Sequence, residues 1–114
     1  MAASGGLAAT AKDTNPVLAQ GSARRRPFTL TVGGPALNEE LDFYIDELFA
    51  FNYSNQGIYL PDLDSYIPAK TYGALIAMPL VRFARAQFKN PPNVLPNAAI
   101  PGQIARLTFF EGTA

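Results

Sequence analysis

The carboxylates are the groups in this chain with the clearest catalytic potential. The 114 residues include no His and no Cys, which excludes imidazole bases, thiolate nucleophiles, disulfides and zinc fingers. Asp42 with Asp46, or Glu39 with Glu47, could supply the acid and base of a glycoside hydrolase. The chain has no Trp to stack against a sugar. We therefore interpret these carboxylates as acidic surface and predict no catalytic residue and no enzyme.

Metal and phosphate motifs are incomplete. Asp62-Leu63-Asp64 matches the start of a calcium loop, but Gly73 stands where an EF-hand needs its twelfth-position Glu, and Pro68 interrupts the segment. Gly33-Gly34 lacks the downstream Gly-Lys-Ser/Thr of a phosphate loop. We predict no metal site and no cofactor.

The elements that would position these side chains are short strands. Phe28, Leu30 and Val32 alternate with threonines, which is the period of a half-buried strand. Pro and Gly punctuate the rest of the chain at spacings typical of an antiparallel sandwich or barrel. We predict a mainly all-β domain over residues 27–114, with further strands at 57–60, 65–67, 73–78, 80–88 and 103–110 and a Pro-rich loop at 89–101.

The segment from Leu37 to Tyr53 has two interpretations. As a helix over residues 38–50, Asn38 would be its N-cap and Leu41, Ile45, Leu48 and Phe49 its apolar stripe. As a strand, Phe43, Ile45, Phe49, Phe51 and Tyr53 would share one face, with Glu47 as an exception. The density of aromatic residues favours the strand.

The longest apolar run is Gly73–Val81. It is too short to span a bilayer and contains Pro79, so we interpret it as a buried strand. Near the N-terminus no apolar stretch follows a basic start, and we expect neither a cleaved signal peptide nor a membrane partner.

Residues 1–26 differ in composition from the remainder. They are rich in Ala, Gly, Ser and Thr and end in Arg24-Arg25-Arg26. So few apolar side chains cannot form a core, and we predict an extended N-terminal arm that lies on another subunit. Leu7, Val17 and Leu18 would anchor this arm, and the three arginines would contact acidic protein patches.

Charge is segregated along the chain. Residues 1–26 carry a net +3, residues 27–64 a net −7 and residues 65–114 a net +4. Separated charges on a neutral chain favour association between unlike surfaces, including homo-oligomers. The alternative is a small nucleic-acid-binding module that uses Arg24–Arg26, Arg82, Arg85 and Lys89 beside nearby aromatic rings.

Four segments carry a resemblance to a known group. The order Phe51-Asn52-Tyr53-Ser54-Asn55, then Gly57–Leu60, then Tyr66–Gly73 is similar to small virion proteins of tailed phages, and Gly102–Phe110 resembles their closing strand. These are capsid decoration (cement) and other minor structural proteins with β-sandwich domains. The resemblance implies a structural role in the virion, with the N-terminal segment as an arm on a neighbouring virion subunit and no catalytic residue. We predict that the chain binds such subunits through its arm and an exposed aromatic surface, with a further contact in the loop from Tyr66 to Tyr72.

Overall fold

The structure is a computed structural model that describes residues 24–112. These residues form six antiparallel strands and no helix. The strands occur along one sheet in the order β1-β6-β2-β5-β3-β4. Their bounds are Arg25–Thr31 (β1), Leu37–Asn52 (β2), Ile58–Leu60 (β3), Ser65–Ile67 (β4), Thr71–Phe88 (β5) and Ile104–Glu111 (β6). The predicted antiparallel all-β domain is confirmed.

The two long strands, β2 and β5, divide the sheet into two layers. Their pairing is interrupted between Glu40 and Ile45 and again between Ile45 and Glu47, and opposite the second interruption Leu80 has a φ of 52°. Residues 45–52 of β2 and 71–77 of β5 lie with β1 and β6 in what we call the front layer. Residues 37–40 and 83–88 lie with β3 and β4 in the back layer. Each long strand therefore contributes to both layers.

A single hydrophobic core joins the layers. Leu48, Leu107 and Phe109 come from the front layer, and Ile58 and Ile67 from the back layer, and each is at most 2% exposed. Burial of one such side chain contributes about 1.5–3 kcal/mol, so this shared core is the main reason for the folding of the sheet upon itself.

Ion pairs close one open side of the sandwich. Arg24 and Arg26, at the start of the front-layer edge strand, reach Asp42 at 2.9 Å and Glu39 at 3.1 Å on β2. Strand β1 begins at Arg25, two residues before the predicted start of the domain. The arm anchors Leu7, Val17 and Leu18 lie outside the described residues.

The helix over residues 38–50 is wrong, because Leu37–Asn52 is one strand. The single apolar face predicted for that strand is also wrong. A register shift between Ile45 and Glu47 reverses the alternation, so that Phe43 and Ile45 point into the core while Phe49 and Phe51 point outward. Glu47, the exception in the pattern, marks the position of the shift.

The apolar run Gly73–Val81 is a strand but is not buried. It belongs to β5, which continues through Pro79 to Phe88 and so unites two predicted strands. Leu75 is 64% exposed, because it lies on the outer side of the front layer, where no other described element covers it. Pro79 is tolerated because it lies within the interruption of the ladder, where no partner is paired with it.

A buried polar network holds the loops at one end of the sandwich. The fully buried Asn52 side chain donates to the carbonyls of Gln56 at 2.7 Å and Pro68 at 3.0 Å, and accepts from the backbone N–H and the hydroxyl of Ser54. Asn55 then donates to the carbonyl of Ala98, which ties down the Pro-rich loop. The connection between β2 and β3 is therefore linked by side-chain hydrogen bonds to the loop that precedes β6.

We predict that Asn52→Ala destabilises the fold by about 3 kcal/mol, because it removes a donor from each of two carbonyls and leaves the buried N–H of Ser54 without a partner. Asn38→Ala is the matched control. Asn38 is exposed on the same strand, and its replacement is expected to change the free energy of unfolding by less than about 0.5 kcal/mol. Urea denaturation followed by circular dichroism measures both values, and equal effects would contradict this role for the network.

Candidate functional site

The outward side of the front layer carries an apolar surface that nothing else in residues 24–112 covers. In strands β2, β5 and β6, the side chains that alternate with core residues are largely aromatic or aliphatic. Tyr72 and Leu75 are 62% and 64% exposed. An exposed patch of several large apolar side chains on a small domain is typical of a protein-binding site. We name it the outer aromatic face, and it consists of Phe49, Phe51, Tyr53, Tyr72, Leu75 and Phe110.

The rings of this face form a continuous row. Phe49 and Phe51 meet edge to face at 5.0 Å between centroids, and Phe51 stacks on Tyr53 at 6.0 Å. Tyr72, on the neighbouring strand, lies 5.7 Å from Tyr53. Rings that hold one another in this way lose little further freedom when a partner covers them, which favours binding.

A bulge at Gly73 places Tyr72 on this face. Ala50 pairs with Ala74, but Phe51 pairs with Tyr72, so Gly73 is the additional residue in β5. Its φ of 87° is one that residues with a side chain rarely adopt. Without the extra residue, Tyr72 and Leu75 would point to opposite sides of the strand.

The free edge beside this face is not suited to adding another strand. Arg24 accepts a backbone hydrogen bond from Glu111, and Val32 donates one to Gln103, so alternation turns the peptide groups of Arg25, Pro27 and Thr29 toward the open edge of β1. Pro27 has no N–H to offer there. The outer aromatic face is therefore better suited than this edge to contact with a partner.

The arginines proposed to bind partners are engaged within the chain. Arg24 contacts Asp42 and Glu111, and Arg26 contacts Glu39, while Arg25 points outward beside Phe110. Arg25 alone of the three forms no ion pair within residues 24–112. Its position places a positive charge at one border of the outer aromatic face.

The basic residues of the nucleic-acid alternative are also paired. Arg82 lies 3.7 Å from Glu40 and Arg85 lies 3.5 Å from Asp62. Lys89 lies over the ring of Tyr59, 4.9 Å from its centroid. These side chains follow the back part of the molecule, and the structure does not join them with Arg24–Arg26 into one positive patch.

The two predicted tyrosine contacts lie in different layers. Tyr72 belongs to the outer aromatic face, whereas Tyr66 packs against Tyr59 in the short β3–β4 hairpin, with 5.0 Å between ring centroids. Sequence reasoning assigned no partner role to Leu75 and Phe110, which complete the face. Glu47 interrupts the alternation of apolar residues in β2. This interruption was the signal in the sequence that could have shown that Phe49 and Phe51, which lie beside Leu75 and Phe110, point outward.

Most carboxylates of the described residues, though not Asp46 and Glu47, have structural partners. Asp42 and Glu39 pair with arginines, and Asp64 accepts a hydrogen bond from the hydroxyl of Tyr59 at 2.8 Å, which raises the pKa of that tyrosine. Within residues 24–112 no three acidic side chains are arranged to hold a metal ion. The same part of the chain contains no helix that could cross a membrane.

Glu111 is the most strongly engaged of the carboxylates. Its pKa is lowered because the Arg24 side chain and the Arg24 backbone N–H both donate to it, at distances from 2.9 to 3.3 Å. The same hydrogen bonds raise the pKa of Arg24. This contact holds the start of β1 against the end of β6, so its role is structural.

Comparison with known protein families, with curated proteins and with solved structures found no significant match. The functional argument therefore rests on the residues of this chain.

We predict that Gly73→Ala costs about 1–2 kcal/mol of stability, because alanine is strained at this φ, and that the added methyl group, in van der Waals contact with the rings of Phe49 and Phe51, changes the surroundings of the face. Gly102→Ala is a matched control, because Gly102 also has a positive φ but has open space around it. Thermal unfolding gives the stabilities, and NMR shifts of the Tyr72 ring should move only in Gly73→Ala. Unchanged Tyr72 shifts would contradict the role of the bulge.

We predict that Glu111→Gln lowers stability at neutral pH. A carboxylate whose folded-state pKa is lowered stabilises the fold above its ordinary pKa of 4.5, and this contribution disappears as the pH falls through the folded-state value. The difference from the wild type should therefore be largest at neutral pH and should shrink below about pH 4. Denaturation between pH 3 and pH 7 measures it, with Glu40→Gln as a control that leaves the Arg24 contacts intact. A constant difference would contradict the prediction.

Proposed function

We propose that this protein is a non-catalytic structural subunit that binds other protein subunits through its outer aromatic face. The observation that carries the proposal is the aromatic and aliphatic covering of a central sheet surface, with Leu75 and Tyr72 more than half exposed. A solvated sheet face normally alternates polar side chains with the buried ones. Apolar side chains at these positions gain free energy only when another surface covers them.

Rigidity of the surface supports the same role. The rings pack in a row, Gly73 sets the position of Tyr72, and the Asn52 network fixes the end of β2. A surface organised in advance pays a smaller ordering cost on each contact, and many copies can then add weak contacts in a large assembly.

The assembly that we propose is the virion of a tailed phage, with the chain as a capsid decoration or other minor structural protein. The support is the resemblance of four segments to such proteins, together with an antiparallel all-β fold, which is the class of fold that the resemblance implies. We favour a protein partner over a nucleic acid because Arg24, Arg26, Arg82 and Arg85 are neutralised by carboxylates of the same chain.

We predict that Leu75→Ser reduces the amount of this chain in purified particles at least about tenfold, since it removes an exposed apolar group from the face without disturbing the core. Leu95→Ser is the matched control, because Leu95 is 91% exposed on the Pro-rich loop, away from the face. Each variant is supplied in the producing host, and the chain in washed particles is quantified by mass spectrometry.

Circular dichroism of the isolated variants should match the wild type, which separates loss of binding from loss of folding. Normal incorporation of Leu75→Ser, or an equal loss for Leu95→Ser, would contradict the assignment of the binding site. Absence of the wild-type chain from purified particles would contradict the proposal that the assembly is a virion.

A further inference from the structure

Two opposite charges stand within the outer aromatic face without an ion-pair partner in residues 24–112. Glu47 pairs in register with Phe110 and Ala77, and Arg106 pairs in register with Phe51 and Thr29. Their alternation with the buried Leu48 and Leu107 turns both toward the outer side. Four other arginines of the described chain find carboxylates within 4 Å, and the remaining one, Arg25, lies at the border of the face rather than within it.

The two charges lie symmetrically about the centre of the face. Glu47 is on β2 and Arg106 on the adjacent β6, four residues apart in register, which corresponds to about 14 Å. The pair of Phe49 with Thr108 lies midway between them. Consider a twofold axis that passes over that midpoint, lies parallel to the face and is perpendicular to the line from Glu47 to Arg106. Such an axis would place Glu47 of a second copy over Arg106 of the first, and the reverse.

We propose that the outer aromatic face binds the same face of a second copy of this chain, around such a twofold axis. Glu47 of each copy then meets Arg106 of the other, and the aromatic rows cover each other between the two ion pairs. The inference rests on the proposed function, because it names the first partner of the same surface. A twofold contact requires a self-complementary surface, and this arrangement of charges provides it.

The resulting geometry agrees with how sheets pack. A line from Glu47 to Arg106 is inclined by about 20° to the strands. The proposed twofold axis is perpendicular to that line, so the strands of one copy cross the strands of the other at about 40°. Face-to-face sheets in aligned packing cross at roughly 30° and lie about 10 Å apart. Phe49 and Leu75 near the axis would fill the space between the sheets.

Charge reversal tests the pairing with the full chain. Glu47→Arg and Arg106→Glu each turn both symmetry-related pairs into like-charge contacts, and each is expected to weaken self-association about a hundredfold in sedimentation equilibrium at low salt. The double variant, Glu47→Arg with Arg106→Glu, restores both pairs in exchanged positions. An equimolar mixture of the two single variants restores them in a heterodimer. Lys89→Glu, a reversal in the back part of the molecule, is the control and should associate like the wild type.

A single introduced thiol tests the packing itself. The chain has no Cys, so Leu75→Cys provides one reactive group close to the proposed axis. A short bis-maleimide reagent should join two copies of Leu75→Cys at low protein concentration, whereas Leu95→Cys should remain uncoupled under the same conditions.

The outcomes separate this inference from the proposed function. A monomeric wild type, single reversals without effect, or a mixture that stays monomeric would overturn the second copy as occupant. A cross-link from Leu75→Cys to residues 1–23 of its own chain, found with a thiol–amine reagent, would overturn it in favour of that segment. If Leu75→Ser still abolishes incorporation into particles, the face binds a different protein and the proposed function stands. If Leu75→Ser is incorporated normally, both fail.

Discussion

The structure depends on one change of register in its longest strands. Side chains alternate with a period of two, so a single extra residue exchanges the buried and the outward positions of everything that follows. In β2 this exchange occurs between Ile45 and Glu47, at the point where the strand leaves the back layer for the front layer. Leu48 and Ala50 thereby enter the core, and Phe49 and Phe51 are left on the outside. The outer aromatic face is a direct result of this exchange.

Most charged side chains of the described residues form ion pairs that hold the fold together. The negative strand β2 is lined by Arg24, Arg26 and Arg82, which come from both ends of the sequence and neutralise it in the folded state. Exposed pairs of this kind add little stability individually, but they specify which edge lies against which. Segregation of charge in the sequence therefore describes how the layers meet. It leaves Glu47 and Arg106 within the outward face, and Arg25 at its border, as charges that no described residue neutralises.

The outer aromatic face is positioned by features that do not belong to it. Gly73 supplies the bulge that turns Tyr72 outward, and Asn52 holds the end of β2 through hydrogen bonds that no solvent reaches. Pro27 makes the neighbouring edge unsuitable for strand addition. Together they leave a rigid, apolar and flat surface as the part of the described chain best suited to protein contact. Such a surface fits a subunit whose function is mechanical, because its rigidity allows weak contacts to add up over many copies.

The sequence by itself determined the class of fold and most of its elements. Alternation in residues 27–32, the aromatic density of residues 37–53 and the Pro-rich composition of residues 89–101 predict strand, strand and loop, and each occurs. These are local preferences of the backbone and of side-chain shape, which act wherever the segment lies.

Which side of each strand is buried was decided only by the tertiary structure. The apolar run around Leu75 has the composition of a core strand, yet its outer side is uncovered because the second layer packs against the opposite side. The continuity of β5 through Pro79 likewise depends on an interruption in its partner ladder. The composition of a segment shows that its side chains are apolar. Whether they are buried depends on the register of the strand and on what packs against it, and neither of these is a local property of the chain.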